Sequence, residues 1–171
     1  PENLTMYLLD FGTNGLAPLT QLPHVADSLL LDQTEKIQKF IRIINRELDR
    51  RKKLLSEHGV GTIALYREVT GKQEPTMVIL MDSYESMKEE PYETDLFKLF
   101  MRISREGLSI GVHLIITASR QNNLRAQLYS NFKHQLTLPQ NDISEVRGIV
   151  GATPLAATME DIKGRALMKR D

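Results

Sequence analysis

The chemistry of this chain is concentrated where a short apolar run meets an acid. Met77-Val78-Ile79-Leu80-Met81 leads directly into Asp82. An unbroken β-prone run of this kind reads as a strand buried on both faces. The carboxyl end of such a strand is where an open α/β sheet places ligand chemistry. The pattern is that of a Walker B acid, a carboxylate that holds magnesium through water beside the phosphates of a nucleotide. A strand-end Asp that merely caps the following turn is the competing reading, and spacing alone leaves the two even. The next residue is Ser83, where hydrolytic versions of the pattern carry Glu. No Gly-x-x-x-x-Gly-Lys-Ser/Thr loop occurs in the 171 residues.

A second apolar run tips the balance. Val112-His113-Leu114-Ile115-Ile116 ends in the polar set Thr117-Ala118-Ser119-Arg120. If the two runs are adjacent parallel strands, Asp82 and Ser119 are expected side by side at one sheet edge. One group would then serve the metal, and Ser119 with Arg120 the terminal phosphate. An ordinary loop start is the alternative for Ser119 and Arg120. Gly71-Lys72 is not a phosphate loop: Tyr66 stands where the first glycine belongs and Gln73 follows the lysine, so the backbone amides have no glycines with which to wrap a phosphate. Arg50 and Arg51, with Lys52 and Lys53, are candidates for reaching the phosphates of a neighbouring subunit. A solvated helix end is the plainer reading of that cluster. His113 reads as a hydrogen-bonded core residue, and Glu85, Glu89 and Glu90 as a solvated acidic loop.

The elements that would position these groups follow from periodicity. Thr5–Asp10 reads as a strand, residues 11–15 as a turn and residues 21–31 as loop. Asp32-Gln33-Thr34-Glu35 has the form of a capping box. It opens a helix with an apolar stripe through Ile37, Phe40, Ile41, Ile44, Leu48 and Leu55, which His58-Gly59 ends. A short helix is expected over 62–69, a loop over 70–75 and another over 84–92. Thr94 is placed to cap a second long helix carrying Leu96, Phe97, Phe100, Met101, Ile103 and Leu108. Beyond the Val112–Thr117 strand come a helix over 124–132, a strand over 134–138, a helix from an Asp142–Glu145 capping box to Val150, and a strand over 164–169. Alternating strands and helices are the grammar of a parallel sheet with crossover helices. The expectation is one α/β domain over residues 1–171.

Bulk composition narrows the partners. Net charge is zero, with 22 basic and 22 acidic residues, which removes the simple electrostatic case for nucleic acid. With no cysteine, neither disulfides nor thiolate metal sites exist. The four histidines are scattered without metal-ligand spacing. No run is long and apolar enough for a membrane span, and no signal peptide is visible.

An ordered set of stretches resembles the FtsK/SpoIIIE family of ring-forming P-loop ATPases. It comprises Met6-Tyr7-Leu8-Leu9-Asp10, Leu22-Pro23-His24, Glu47-Leu48-Asp49-Arg50-Arg51, Gly111-Val112-His113-Leu114-Ile115, Thr117-Ala118-Ser119-Arg120 and Gly164-Arg165-Ala166-Leu167. Leu8 to Gly15 and Asp82 to Met87 look in particular like the last ATPase module of a membrane-anchored type VII secretion motor. The resemblance implies a RecA-like core whose phosphate loop, first strand and first helix lie before Pro1. It also implies ATP and Mg2+ as ligands, weakly bound without that loop, and Asp82 as the Walker B acid. Ser83 stands at the place of the catalytic Glu and Ser119 at that of the sensor Gln, so no residue is assigned as catalytic and hydrolysis is expected to be weak or absent. The implied partners are other modules of the motor, small helical secreted proteins and further copies in a hexameric ring. The implied location is the cytoplasmic face of the bacterial membrane, reached through segments outside this chain. Residues 148–162 are a candidate peptide groove, an ordinary connection being the favoured reading. A DNA-translocase module and a nucleotide-free interaction domain are the competing functions.

Overall fold

The computed structural model describes residues 2–169. The described residues fall into two compact units, divided between residues 118 and 119. In the first, four strands form one all-parallel sheet: β1 (Leu4–Asp10), β2 (Val25–Leu30), β3 (Thr76–Asp82) and β4 (Val112–Ile116), in the order β2-β1-β3-β4. Parallel neighbours need crossover connections, and these carry α1 (Thr34–Glu57), α2 (Ile63–Thr70) and α3 (Glu93–Glu106). The mainly parallel α/β architecture expected from the alternation of elements is present.

The apolar stripe of α1 is buried as its spacing requires. Phe40 packs against Tyr7 of β1, with ring centroids 5.3 Å apart and planes tilted by 58°. α1 and α3 lie side by side, stitched by Arg102 to Asp49 at 2.6 Å and by Lys52 to Glu106 at 2.9 Å. Buried Tyr92, just before α3, donates its hydroxyl to the Leu31 carbonyl at 2.7 Å and packs against Phe11.

Several local expectations change. Residues 25–30 form β2 rather than loop; only Leu29 of Val-Ala-Asp-Ser-Leu-Leu is buried, so this edge strand shows no strong apolar alternation. The Asp32 box does not form. Gln33 is the N-cap of α1 and makes no side-chain cap bond; its side chain instead accepts from the Leu30 amide at 3.0 Å. Thr94 lies inside α3, which begins at Glu93. Burial on both faces does not hold either: Met77, Ile79 and Met81 of β3 are buried while Val78 and Leu80 are half-buried, and β4, paired only with β3, leaves Ile115 50% exposed. Gly71, rejected as a phosphate loop, is the left-handed C-cap of α2 at φ +69°, where its amide reaches the Arg67 carbonyl.

The second unit contains α4 (Ala126–Tyr129), β5 (Gln135–Thr137), α5 (Ile143–Val150), α6 (Pro154–Ala157) and β6 (Leu167–Lys169). β5 and β6 pair antiparallel in a sheet of their own, so the last strands do not extend the parallel sheet. Asp142 caps α5 by accepting from the Ser144 amide at 2.8 Å, and that bond holds its carboxyl below the usual range.

Candidate functional site

The site sits at the carboxyl end of the parallel sheet. β1 and β3 run in register to their last residues, so that Asp10 and Asp82 are paired. β3 and β4 are in register up to Met81 and Ile116, which brings Thr117 beside Asp82.

Asp82 is half-buried and held at both oxygens. Thr117 donates its hydroxyl to Oδ1 at 2.6 Å, and Ser83 donates its own to Oδ2 at 3.3 Å. The Thr117 hydroxyl also accepts from the Ser83 amide at 3.0 Å, and the Thr117 carbonyl accepts from the Tyr84 amide at 3.0 Å. This clamp holds Ser83 in a left-handed conformation, φ +61° and ψ 62°, which costs an L-residue on the order of 1–2 kcal/mol. The chain then turns through a single 3-10 turn, Tyr84–Met87, which buries Tyr84 and Met87 where an open acidic loop was expected.

The turn after β1 covers the acid from the other side. A Cβ on Gly12 would lie 2.5 Å from Asp82 Oδ2 and 2.8 Å from the Ser83 hydroxyl, so only glycine fits there without displacement; a Cβ on Gly15 would lie 3.8 Å from the same carboxylate oxygen. Asp10 fastens this turn by accepting from the Leu16 amide through Oδ2 at 3.0 Å.

The structure joins Asp82 to Ser83 and to Thr117. Ser119 and Arg120 open the second unit, where the Ser119 hydroxyl accepts from Asn123 at 2.8 Å and Arg120 lies 3.5 Å from Glu145. Arg51 is not at a solvated helix end: it is 2% exposed, and its guanidinium donates to the carbonyls of Pro75 (2.7 Å), Ile110 (2.9 Å) and Gly111 (3.3 Å) and to Glu47 (2.8 Å). Those carbonyls precede β3 and β4, at the end of the sheet opposite Asp82. Arg50 is half-exposed and pairs with Glu47 and Glu74. Burial disfavours ionised Glu47, but the hydrogen bonds from Arg50 and Arg51 outweigh it and hold the carboxyl below its ordinary value. His113 is half-buried opposite Val78 in the β3–β4 ladder. In residues 148–162, Ala156 is buried while Leu155 and Ile162 are exposed.

Sequence reasoning passed over Thr117, Gly12 and Asp10 as site residues. Counting would have found Thr117, because Met77–Asp82 and Val112–Thr117 are runs of equal length and end together once paired. The Gly12 signal was a glycine just past a strand that ends in an acid.

Asp82 suits a hydrated divalent cation. A carboxylate has about four acceptor sites, and two are taken by hydroxyls here. Among the described residues no group of three His, Cys, Asp or Glu side chains is placed to chelate a metal. That leaves attachment through water, the habit of Mg2+. Bound there, the cation would supply positive charge beside phosphate oxygens.

Comparison with known proteins supplies the family. The family model described as FtsK/SpoIIIE matches residues 1–162, running through both units. The chain is 42% identical over all 171 residues to the type VII secretion system protein EssC of Staphylococcus aureus (strain NCTC 8325), of whose length it spans 11%. It is similar to the solved ATPases 2 and 3 of EssC from Geobacillus thermodenitrificans, with 36% identity and a TM-score of 0.93, covering 100% of this chain and 32% of that one. The fold also recurs in ATPases 2 and 3 of Thermomonospora curvata EccC, solved with a signal sequence peptide, at 23% identity and a TM-score of 0.85, covering 99% of this chain and 31% of that one. With a parallel sheet that delivers Asp82 to its carboxyl edge and a family match across nearly its whole length, this chain belongs to the FtsK/SpoIIIE family.

Proposed function

We propose that the chain is a nucleotide-binding module of a type VII secretion motor that grips Mg–ATP and hydrolyses it slowly. The observation that carries this reading is the Asp82–Ser83 pair. A carboxylate is clamped at the edge of a parallel sheet, and the residue after it offers a hydroxyl that is itself bound to that carboxylate. Asp82 holds the cation through water. Ser83 is too weak a base to polarise an attacking water as a carboxylate does, and its hydrogen bond is directed at Asp82. Ser119 and Arg120 serve the terminal phosphate, and Arg50 faces a neighbouring copy in a ring. The module regulates or recruits small helical secreted proteins for the other modules of the motor, on the cytoplasmic face of the membrane. Identity to EssC along the entire chain supports the assignment to that machinery. Among the described residues no helix is long and apolar enough to cross a membrane.

Calorimetric titration of Mg–ATP tests the nucleotide half. Weak, magnesium-dependent binding is expected, and Asp82→Ala should weaken it by about tenfold or more. Unchanged affinity in that variant removes Asp82 from the role. Turnover near one per second or above, the range of ordinary enzymes, would overturn the reading of Ser83.

A further inference from the structure

We propose that Asp10 is a second carboxylate of the cation site, so that Asp10 and Asp82 together hold one hydrated divalent cation between the ends of β1 and β3. The inference rests on the reading that Asp82 holds such a cation, and it adds a residue to which neither motif nor family match assigns a role.

Register and loop geometry bring the two acids together. As paired residues of parallel strands, Asp10 and Asp82 leave the sheet on the same face. Both then converge on one turn. Leu16 donates its amide to Asp10 Oδ2, while the preceding residue, Gly15, and Gly12 lie against Asp82 Oδ2. Neither glycine has a side chain to separate the carboxylates.

Charge and burial indicate what belongs there. Asp10 is 4% exposed, and its Oδ1 has no hydrogen-bond partner among the described residues. A buried carboxylate oxygen without a donor is costly. No Lys or Arg forms an ion pair with Asp10 or Asp82 among the described residues, so no side-chain cation among them is paired with these two negative charges. A divalent cation offsets both, and a water of its shell supplies the missing donor to Oδ1. Mg2+ and Mn2+ are suited to one or two carboxylates with several retained waters. A site that demanded three or more protein ligands would find too few acids here.

Titration of Mn2+ alone into the 171-residue chain, followed by electron paramagnetic resonance, tests the proposal. Asp10→Asn keeps the shape and an acceptor for the Leu16 amide but removes the charge. It should weaken Mn2+ binding by about tenfold or more, with its metal-free melting temperature unchanged or raised. Mn2+ binding equal to wild type in Asp10→Asn overturns the proposal, as does a wild-type chain that takes up no Mn2+. If Mg–ATP binding depends on Asp82 but Mn2+ binding is indifferent to Asp10, the nucleotide reading stands and this inference falls. Should Asp10→Asn fail to fold, paramagnetic broadening in the wild-type chain decides instead. Amide signals of Gly12, Gly15 and Leu16 should broaden first, and broadening centred elsewhere refutes the site.

Discussion

The Thr117 hydroxyl joins two neighbouring residues of the adjacent strand end, donating to Asp82 Oδ1 at 2.6 Å while accepting from the Ser83 amide at 3.0 Å. One side chain thereby sets both the direction of the carboxylate and the backbone that follows it. Thr117→Val keeps the shape and removes both bonds. It should cost about 1–3 kcal/mol in denaturant unfolding, and Mg–ATP or Mn2+ binding should weaken with it. Binding that survives at full strength would mean that Asp82 needs no guide.

Gly12 should tolerate no side chain if the cation site is to work. Alanine there places a Cβ 2.5 Å from Asp82 Oδ2, a distance that real contacts do not sustain. Because Gly12 is exposed, the turn can yield without unfolding the core. Gly12→Ala should therefore lower Mn2+ affinity with a melting temperature within a few degrees of wild type. A large loss of stability with metal binding intact would invert this assignment.

Arg51 should behave as a core residue despite its charge. Arg51→Ala leaves the carbonyls of Pro75, Ile110 and Gly111 without the guanidinium, and Glu47 keeps only Arg50. Breaking a buried pair by deleting one partner costs about 3–5 kcal/mol. Arg51→Lys should recover only part of this, since an ammonium cannot match the planar fork. Chemical denaturation reads both, and a loss under about 1 kcal/mol would show the contacts to be replaceable.

Acid should weaken the ion pairs within α1 and between α1 and α3. Glu47 and Glu106 are both disfavoured by burial, yet hydrogen bonds from Arg50 and Arg51 in one case, and from Lys52 and Arg102 in the other, hold their carboxyls below the ordinary value of 4.5. A folded-state value below the unfolded one means that the stabilisation is complete above pH 4.5 and is lost as pH falls through the lowered values. Stability measured against pH should therefore decline below 4.5, and Glu47→Gln should flatten that decline. A variant with the wild-type slope would exclude Glu47 as a source.

Much of this was legible in the residues. The stripe of α1 and the runs of β1, β3 and β4 announced themselves because burial imposes a period on them. β2 did not, since an edge strand with one buried residue carries almost no pattern. Asp82 was visible because an acid ends an apolar run. Its hydrogen-bond donor Thr117 was less visible: in the polar set after the second apolar run the reading fell on Ser119 and Arg120, and only strand register shows Thr117 reaching the carboxylate. Arg51 was misread because a helix-end cluster of four cations looks solvated, and only the return of the chain at Pro75 and Gly111 supplies the carbonyls that bury one of them. Asp10 ends an apolar run as Asp82 does, but its buried oxygen without a hydrogen-bond partner among the described residues exists only in three dimensions.

The guanidinium of Arg51 bolts the long helix to the starting ends of β3 and β4, while whatever chemistry the module performs gathers where those strands finish. Foundation and workshop thus occupy opposite rims of the sheet, about seven residues of β3 apart. Evolution or an engineer can rework the acid, its serine and the glycine turn without loosening the bolt, so the architecture outlasts changes in the chemistry it carries.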